Sequence, residues 1–217
     1  MSHAQQQDKT LTQRLSETPV IPVIRVESVG AGIELARTLV SAGLKNLEIT
    51  LRTEVACEVI RAIADEVPDA LVGAGTVLNP ADLERVSQAG AQFAISPGAT
   101  LDLYQGARSL DCPLIPGVAT ASELMTGLAE GYSLFKFFPA EAAGGIELLK
   151  AWQGPFPDVR FIPTGGISPA LAPAYLSLSN VQAVGGSWMV PEPLINQGDW
   201  ASIRSLAEQC HSLLHNS

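Results

Sequence analysis

Eight short apolar runs at even spacing constrain this chain more than any other feature. They begin at Val20 (VIPVIRV), Asn46 (NLEITL), Leu71 (LVGAGTV), Phe93 (FAISPG), Pro113 (PLIPGVAT), Leu134 (LFKFFPA), Arg160 (RFIPTGG) and Val181 (VQAVGGSW), at intervals of 20 to 26 residues. Each is short and apolar, as a strand buried on both faces of a parallel sheet would be. The intervals read as helices. Ser28–Leu39 opens on a serine cap and carries Val29, Ile33, Leu35, Ala36 and Leu39; Glu54–Val67 carries Val55, Val59, Ile60 and Ile63; Asp82–Ala89 and Ser122–Ala129 are shorter versions. Eight strand–helix units of this period predict one α/β domain over residues 1–217, a closed (β/α)8 TIM barrel. A short helix around Thr10–Thr18 is expected to cap its bottom, after an N-terminal extension over residues 1–9. Asp199 opens a final amphipathic helix (199–215) with Trp200, Ile203, Leu206, Cys210 and Leu213 on one stripe. Pro22 fits its strand poorly, because proline cannot donate to a ladder. An open dinucleotide-binding sheet is the structural rival, but Gly73-Ala-Gly75-Thr-Val-Leu78 lacks the third glycine of that fingerprint.

Several function classes drop out early. The net charge of -9 argues against a nucleic-acid or membrane-surface role, although a local pocket can still be positive. The N-terminus lacks the apolar core of a secretory signal, and no apolar run is long enough to span a bilayer, so a cytoplasmic protein is expected. Cys57, Cys112 and Cys210 are scattered and odd in number, and read as thiols in a reducing compartment rather than a disulfide framework or zinc site. The histidines are His3, His211 and His215, all at the chain ends. Imidazole-based triads and histidine-ligated metals are therefore improbable, and no metal or other cofactor is expected. Proton transfers would fall to Glu, Asp, Lys or water.

In a barrel of this kind the chemistry sits at the C-terminal ends of the strands. The chain has four lysines, Lys9, Lys45, Lys136 and Lys150, and only Lys136 falls in an apolar strand. Alternation puts Phe135 and Phe137 on one face and Leu134, Lys136 and Phe138 on the other. If the Phe135–Phe137 pair faces the helices, Lys136 points into the barrel. A buried ammonium is costly unless it is paired or loses its proton, and a neutral amine is what a Schiff-base nucleophile needs. In Asn46-Leu-Glu-Ile-Thr-Leu-Arg52 the same alternation sends Glu48, Thr50 and Arg52 inward. Glu48 would serve as a general base, and Arg52 would suit a substrate carboxylate. A structural ion pair of Glu48 with Lys136 or Arg52 is the plainer alternative. Gly165-Gly166 and Gly185-Gly186-Ser187 follow the seventh and eighth strands, where barrels commonly bind phosphate.

The segments LEITLRTE, VGAGTVLNP, GAQFAISPG, PLIPGVAT, FKFFPAE, FIPTGGISP and GGSWMVP, between about residues 19 and 191, resemble the 2-keto-3-deoxy-6-phosphogluconate (KDPG)/4-hydroxy-2-oxoglutarate aldolase family. The resemblance implies a class I aldolase of the Entner–Doudoroff pathway that cleaves KDPG to pyruvate and D-glyceraldehyde 3-phosphate, with possible use of 4-hydroxy-2-oxoglutarate. It implies Lys136 as the Schiff-base lysine and Glu48 as the proton shuttle. Arg52 and Thr76 would hold the pyruvyl carboxylate beside Pro97, and Phe138 would pack on the substrate. Gly165, Gly166, Gly186 and Ser187 would hold the distal phosphate, and Thr164 would read the C4 configuration. It also implies a homotrimer. The alternatives are a sister aldolase for 2-keto-3-deoxy-6-phosphogalactonate, a non-catalytic sugar-phosphate barrel, which would not keep Lys136, and a barrel isomerase or epimerase, which would not need it.

Overall fold

The computed structural model describes residues 11–215, with side chains up to Cys210. The N-terminal extension with His3 lies outside the described residues, as do the side chains of His211, Leu213 and His215. After a helical turn at 11–15 (α1), the elements run β1 (Val20–Ile24), α2 (Val29–Ser41), β2 (Asn46–Thr50), α3 (Ala56–Glu66), β3 (Leu71–Gly75), α4 (Pro80–Gln88), β4 (Ala94–Ile95), α5 (Leu101–Ala107), β5 (Leu114–Ile115), β6 (Gly117–Val118), α6 (Ala121–Ala129), β7 (Leu134–Phe137), α7 (Gly145–Trp152), β8 (Arg160–Pro163), α8 (Ala172–Leu176), β9 (Val184–Gly186), α9 (Glu192–Gln197) and α10 (Trp200–His215). All strand pairs are parallel. One six-stranded sheet has the order β5-β4-β3-β2-β1-β9, and a three-stranded sheet has the order β6-β7-β8. Bridges Phe161↔Val181 and Thr164↔Gly185 tie β8 to the segment of β9. The result is a curled parallel α/β sheet clad in helices.

Differences from the expected strands have local causes. The run at Pro113 divides into β5 and β6 because Pro116 has no N–H to donate; its carbonyl still accepts from Lys136 N at 2.9 Å. Pro22 is accommodated in β1, opposite Gly186 of β9. The strand at Phe93 shortens to Ala94–Ile95, and the last begins at Val184 rather than Val181. Helix starts follow their caps: Ser28 accepts from Ala31 N, Asn79 from Asp82 N, and Thr120 forms a capping box with Glu123.

Two buried clusters follow from strand alternation. The larger fills the space between sheet and helices. There Trp152 meets Phe137 and Phe161 with ring centroids 5.6 and 5.4 Å apart. The smaller lies inside the curl and comprises Ile21, Leu71, Phe93, Ile95, Ile115, Leu134, Ile162 and Ala183. Leu11 and Leu15 of α1 close that cluster from below, as expected of a capping helix. Buried Asn46 fastens this floor by donating to the carbonyls of Leu15 (3.2 Å) and Thr18 (2.7 Å). Cys57, Cys112 and Cys210 are free thiols, and burial pushes Cys112 up to about 12. No helix among the described residues is long and apolar enough to cross a membrane.

Candidate active site

The strand register places the functional side chains one step above the apolar floor. In β7, Leu134 belongs to the floor, so alternation carries Lys136 to the next layer of the same face, while Phe135 and Phe137 face the helices. In β2, Leu47 and Ile49 pack outward and Glu48 points inward. The two charges meet: Lys136 Nζ lies 3.1 Å from Glu48 Oε1, and the residues are only 6% and 1% exposed. Burial of such a pair is tolerated because each charge answers the other; removing either alone leaves a buried charge and costs about 3–5 kcal/mol. Gly75 makes room for this carboxylate, since a methyl group there would sit 2.1 Å from Glu48 Oε1. The Phe138 ring lies 5.3 Å from the Lys136 ammonium, within cation–π range.

The pair stands in a cavity of about 320 Å³ lined by Val23, Glu48, Thr50, Arg52, Thr76, Pro97, Lys136, Phe138 and Thr164. Seven of the residues singled out in the sequence therefore converge: Lys136, Glu48, Arg52, Thr76, Pro97, Phe138 and Thr164. Arg52 is exposed, and its Nε donates to Thr50 Oγ1 at 3.0 Å; Thr50 in turn donates to Ile24 O at 2.8 Å. That chain aims the guanidinium over the cavity. Thr76 has φ of 62°, a left-handed conformation that costs a β-branched residue about 1–3 kcal/mol and persists only where the surroundings enforce it.

Ser187 lines a second cavity of about 130 Å³ with Val23, Arg25, Arg52, Val190, Pro191 and Glu192. Val23 and Arg52 are common to both cavities, so the two adjoin. Gly165, Gly166 and Gly186 line neither; the first two form a left-handed turn after β8, with φ of 102° and 82°. Val23 and Arg25 were not singled out in the sequence. Alternation from Ile21 identifies Val23 as inward-facing and carries Arg25 to the same face; Arg25 pairs with Glu27 and with Glu192 (3.1 Å), the first residue of α9. Among the described residues, no group of three or more His, Cys, Asp or Glu side chains could hold a metal ion.

Residues 11–206 match the family model for KDPG and KHG aldolase. The chain belongs to this aldolase family. The KHG/KDPG aldolase of Escherichia coli K12 is 54% identical over 195 residues, covering 90% of this chain and 92% of the relative. A KDPG aldolase from Legionella pneumophila, solved with pyruvate captured at low pH as a covalent carbinolamine intermediate, is 48% identical with a TM-score of 0.88, covering 91% of this chain and 96% of that one. The 2-keto-3-deoxy-6-phosphogluconate aldolase of Zymomonas mobilis ZM4, solved with 3-phosphoglycerate, is 44% identical with a TM-score of 0.86, covering 92% and 94%. Against these aldolases, a buried lysine–carboxylate pair in an arginine-rimmed cavity is an arrangement suited to carbonyl chemistry.

Proposed function

We propose that this protein is a metal-independent class I aldolase that cleaves KDPG to pyruvate and D-glyceraldehyde 3-phosphate, and also 4-hydroxy-2-oxoglutarate to pyruvate and glyoxylate. The observation that carries this reading is the Lys136–Glu48 pair, 3.1 Å apart and buried in a cavity that Arg52 also lines. Covalent capture of pyruvate in the Legionella relative supports it.

In the mechanism, Glu48 takes the amine proton along the hydrogen bond that joins the pair. The freed Lys136 amine adds to the C2 ketone, giving a carbinolamine. Glu48 returns a proton to its hydroxyl, water leaves, and the iminium forms. Glu48, directly or through a water, then removes the C4 hydroxyl proton. The C3–C4 bond breaks, its electron pair moves into the iminium to give an enamine, and C4 departs as the aldehyde. Protonation at C3 and hydrolysis release pyruvate and restore the lysine. Arg52 and Thr76 hold the carboxylate beside Pro97, and Phe138 packs on the substrate. Gly165, Gly166, Gly186 and Ser187 hold the phosphate, with Arg25 and Arg52 the cations of the adjoining cavity. Anchors at both ends align the scissile bond, an orientation effect. Thr164, beside the pair, reads the C4 configuration.

The fold in this reading is a single (β/α)8 barrel domain, a closure that the Thr164↔Gly185 and Phe161↔Val181 bridges support, assembled as a cytoplasmic homotrimer. Borohydride reduction in the presence of pyruvate, read by peptide mass spectrometry, tests the chemistry. A pyruvyl adduct on Lys136 is the expected result; a folded protein with no adduct would overturn the Schiff-base mechanism.

A further inference from the structure

A tyrosine–carboxylate contact lies behind the glycine turn and takes no part in the chemistry described above. Tyr175 of α8 is fully buried, and its hydroxyl donates a hydrogen bond to Glu141 Oε1. Burial, reinforced by Glu141, holds the phenol well above its usual range, so it remains a donor. Glu141 belongs to the loop between β7 and α7, and it grips the turn twice. Its backbone N–H donates to Gly165 O at 3.1 Å, beside Ala140 N to Thr164 O at 2.8 Å. Its side-chain stem lies directly against Gly166, where a methyl group would come within 2.8 Å of Glu141 Cβ and Cγ. Gly145, left-handed at φ of 57°, opens α7 against the same contact; a methyl there would lie 3.1 Å from the Glu141 carboxylate and 3.2 Å from the Tyr175 hydroxyl. Three segments that are separate in sequence thus converge on one carboxylate beneath Gly165-Gly166.

We propose that the Tyr175–Glu141 pair positions the Gly165-Gly166 turn for the distal phosphate, so that the pair determines preference for phosphorylated over unphosphorylated substrates. Neither residue lines the cavity of Lys136, so the pair acts through the turn rather than on the reacting atoms. The inference rests on the aldolase reading and assigns the pair a role within it. Without the hydroxyl, the Glu141 side chain is free to swing into solvent, and the turn loses its fixed support.

The test compares wild type with Tyr175→Phe on KDPG and on 4-hydroxy-2-oxoglutarate, which has no phosphate. KM for KDPG is expected to rise about tenfold, while kcat on both substrates and KM for the second stay within about twofold. Glu141→Ala, at an exposed residue, should show the same split and serves in its place if Tyr175→Phe does not fold. Glu141→Gln keeps an acceptor oxygen for the tyrosine and should return KM for KDPG toward the wild-type value. An equal KM change on both substrates, or no change on either, would overturn the proposal and leave the pair a purely structural contact. A wild-type protein that forms the pyruvyl adduct yet ignores KDPG would fail differently, sinking the phosphorylated-substrate reading and this inference with it.

Discussion

Gly75→Ala tests whether the position of the Glu48 carboxylate matters. The added methyl would lie 2.1 Å from Oε1, 2.7 Å from Cγ and 2.8 Å from Cδ of Glu48. Non-bonded carbon and oxygen sit roughly 1 Å further apart than this, so something must yield by that amount. The backbone cannot easily do so, because Gly75 is locked in register opposite Thr50 in the β2–β3 ladder. The carboxylate therefore moves, and its 3.1 Å contact with Lys136 Nζ is stretched or bent. Overpacking of this kind costs about 1–3 kcal/mol, and a chain of this size loses about 2–4 °C of Tm per kcal/mol. Misplacing a catalytic group by about 1 Å costs on the order of 10²-fold in rate. Pyruvate release from KDPG, followed by coupling to lactate dehydrogenase, should show kcat falling about a hundredfold, with slower borohydride trapping still directed to Lys136. A folded Gly75→Ala enzyme whose kcat stays within about threefold of wild type would refute the assignment of Glu48 as the proton-transfer group.

Lys136→Met should abolish the pyruvyl adduct and destabilise the protein by about 3–5 kcal/mol, because Glu48 is left buried and unpaired; adding Glu48→Leu should recover most of that loss in thermal denaturation. If the single variant is as stable as wild type, the pair is not a buried charge pair in the folded protein. Glu123 supplies a pH-dependent prediction. The Ala119 N–H, aided by the Thr120 groups, holds its carboxyl below the usual range despite an opposing desolvation effect. A depressed folded-state value adds stability above the unfolded carboxyl pKa of about 4.3, and that contribution disappears as pH falls through the folded value. Glu123→Gln should therefore unfold more readily than wild type at pH 7, by under about 1 kcal/mol at this exposed cap, with the two denaturation curves converging in acid. A gap that persists unchanged in acid would show that the cap does not depend on the charge.

The parts of the site that were legible in the sequence are those governed by strand alternation. Lys136 stands out because it is a charge flanked by Phe135 and Phe137, and Glu48 because Leu47 and Ile49 fix which way it must face. Period two converts such patterns directly into geometry. Arg25 follows Ile21 and Val23 at period two, so its direction could be read, but its partner Glu192 opens α9, 167 residues away, and only tertiary packing brings the two together. Glu141 and Tyr175 were silent, since only tertiary packing brings residues 34 apart into one hydrogen bond. The left-handed Thr76 gives no warning at all: threonine is a poor choice for that conformation, and only its neighbours hold it there. The split at Pro116 was readable in principle from the missing donor, as was the awkward fit of Pro22; the sheet absorbed the second and yielded to the first.

The floor built from Leu11, Leu15 and the inward apolar ring makes the cavity above it a blind alley. Lys136 stands just above that floor, so the substrate carbon bonded to it waits at the closed end, while the departing aldehyde is not bonded to the protein. On the proposed reading traffic is last in, first out. Glyceraldehyde 3-phosphate departs while pyruvate is still tethered, and in the synthetic direction pyruvate must be seated before any aldehyde is admitted.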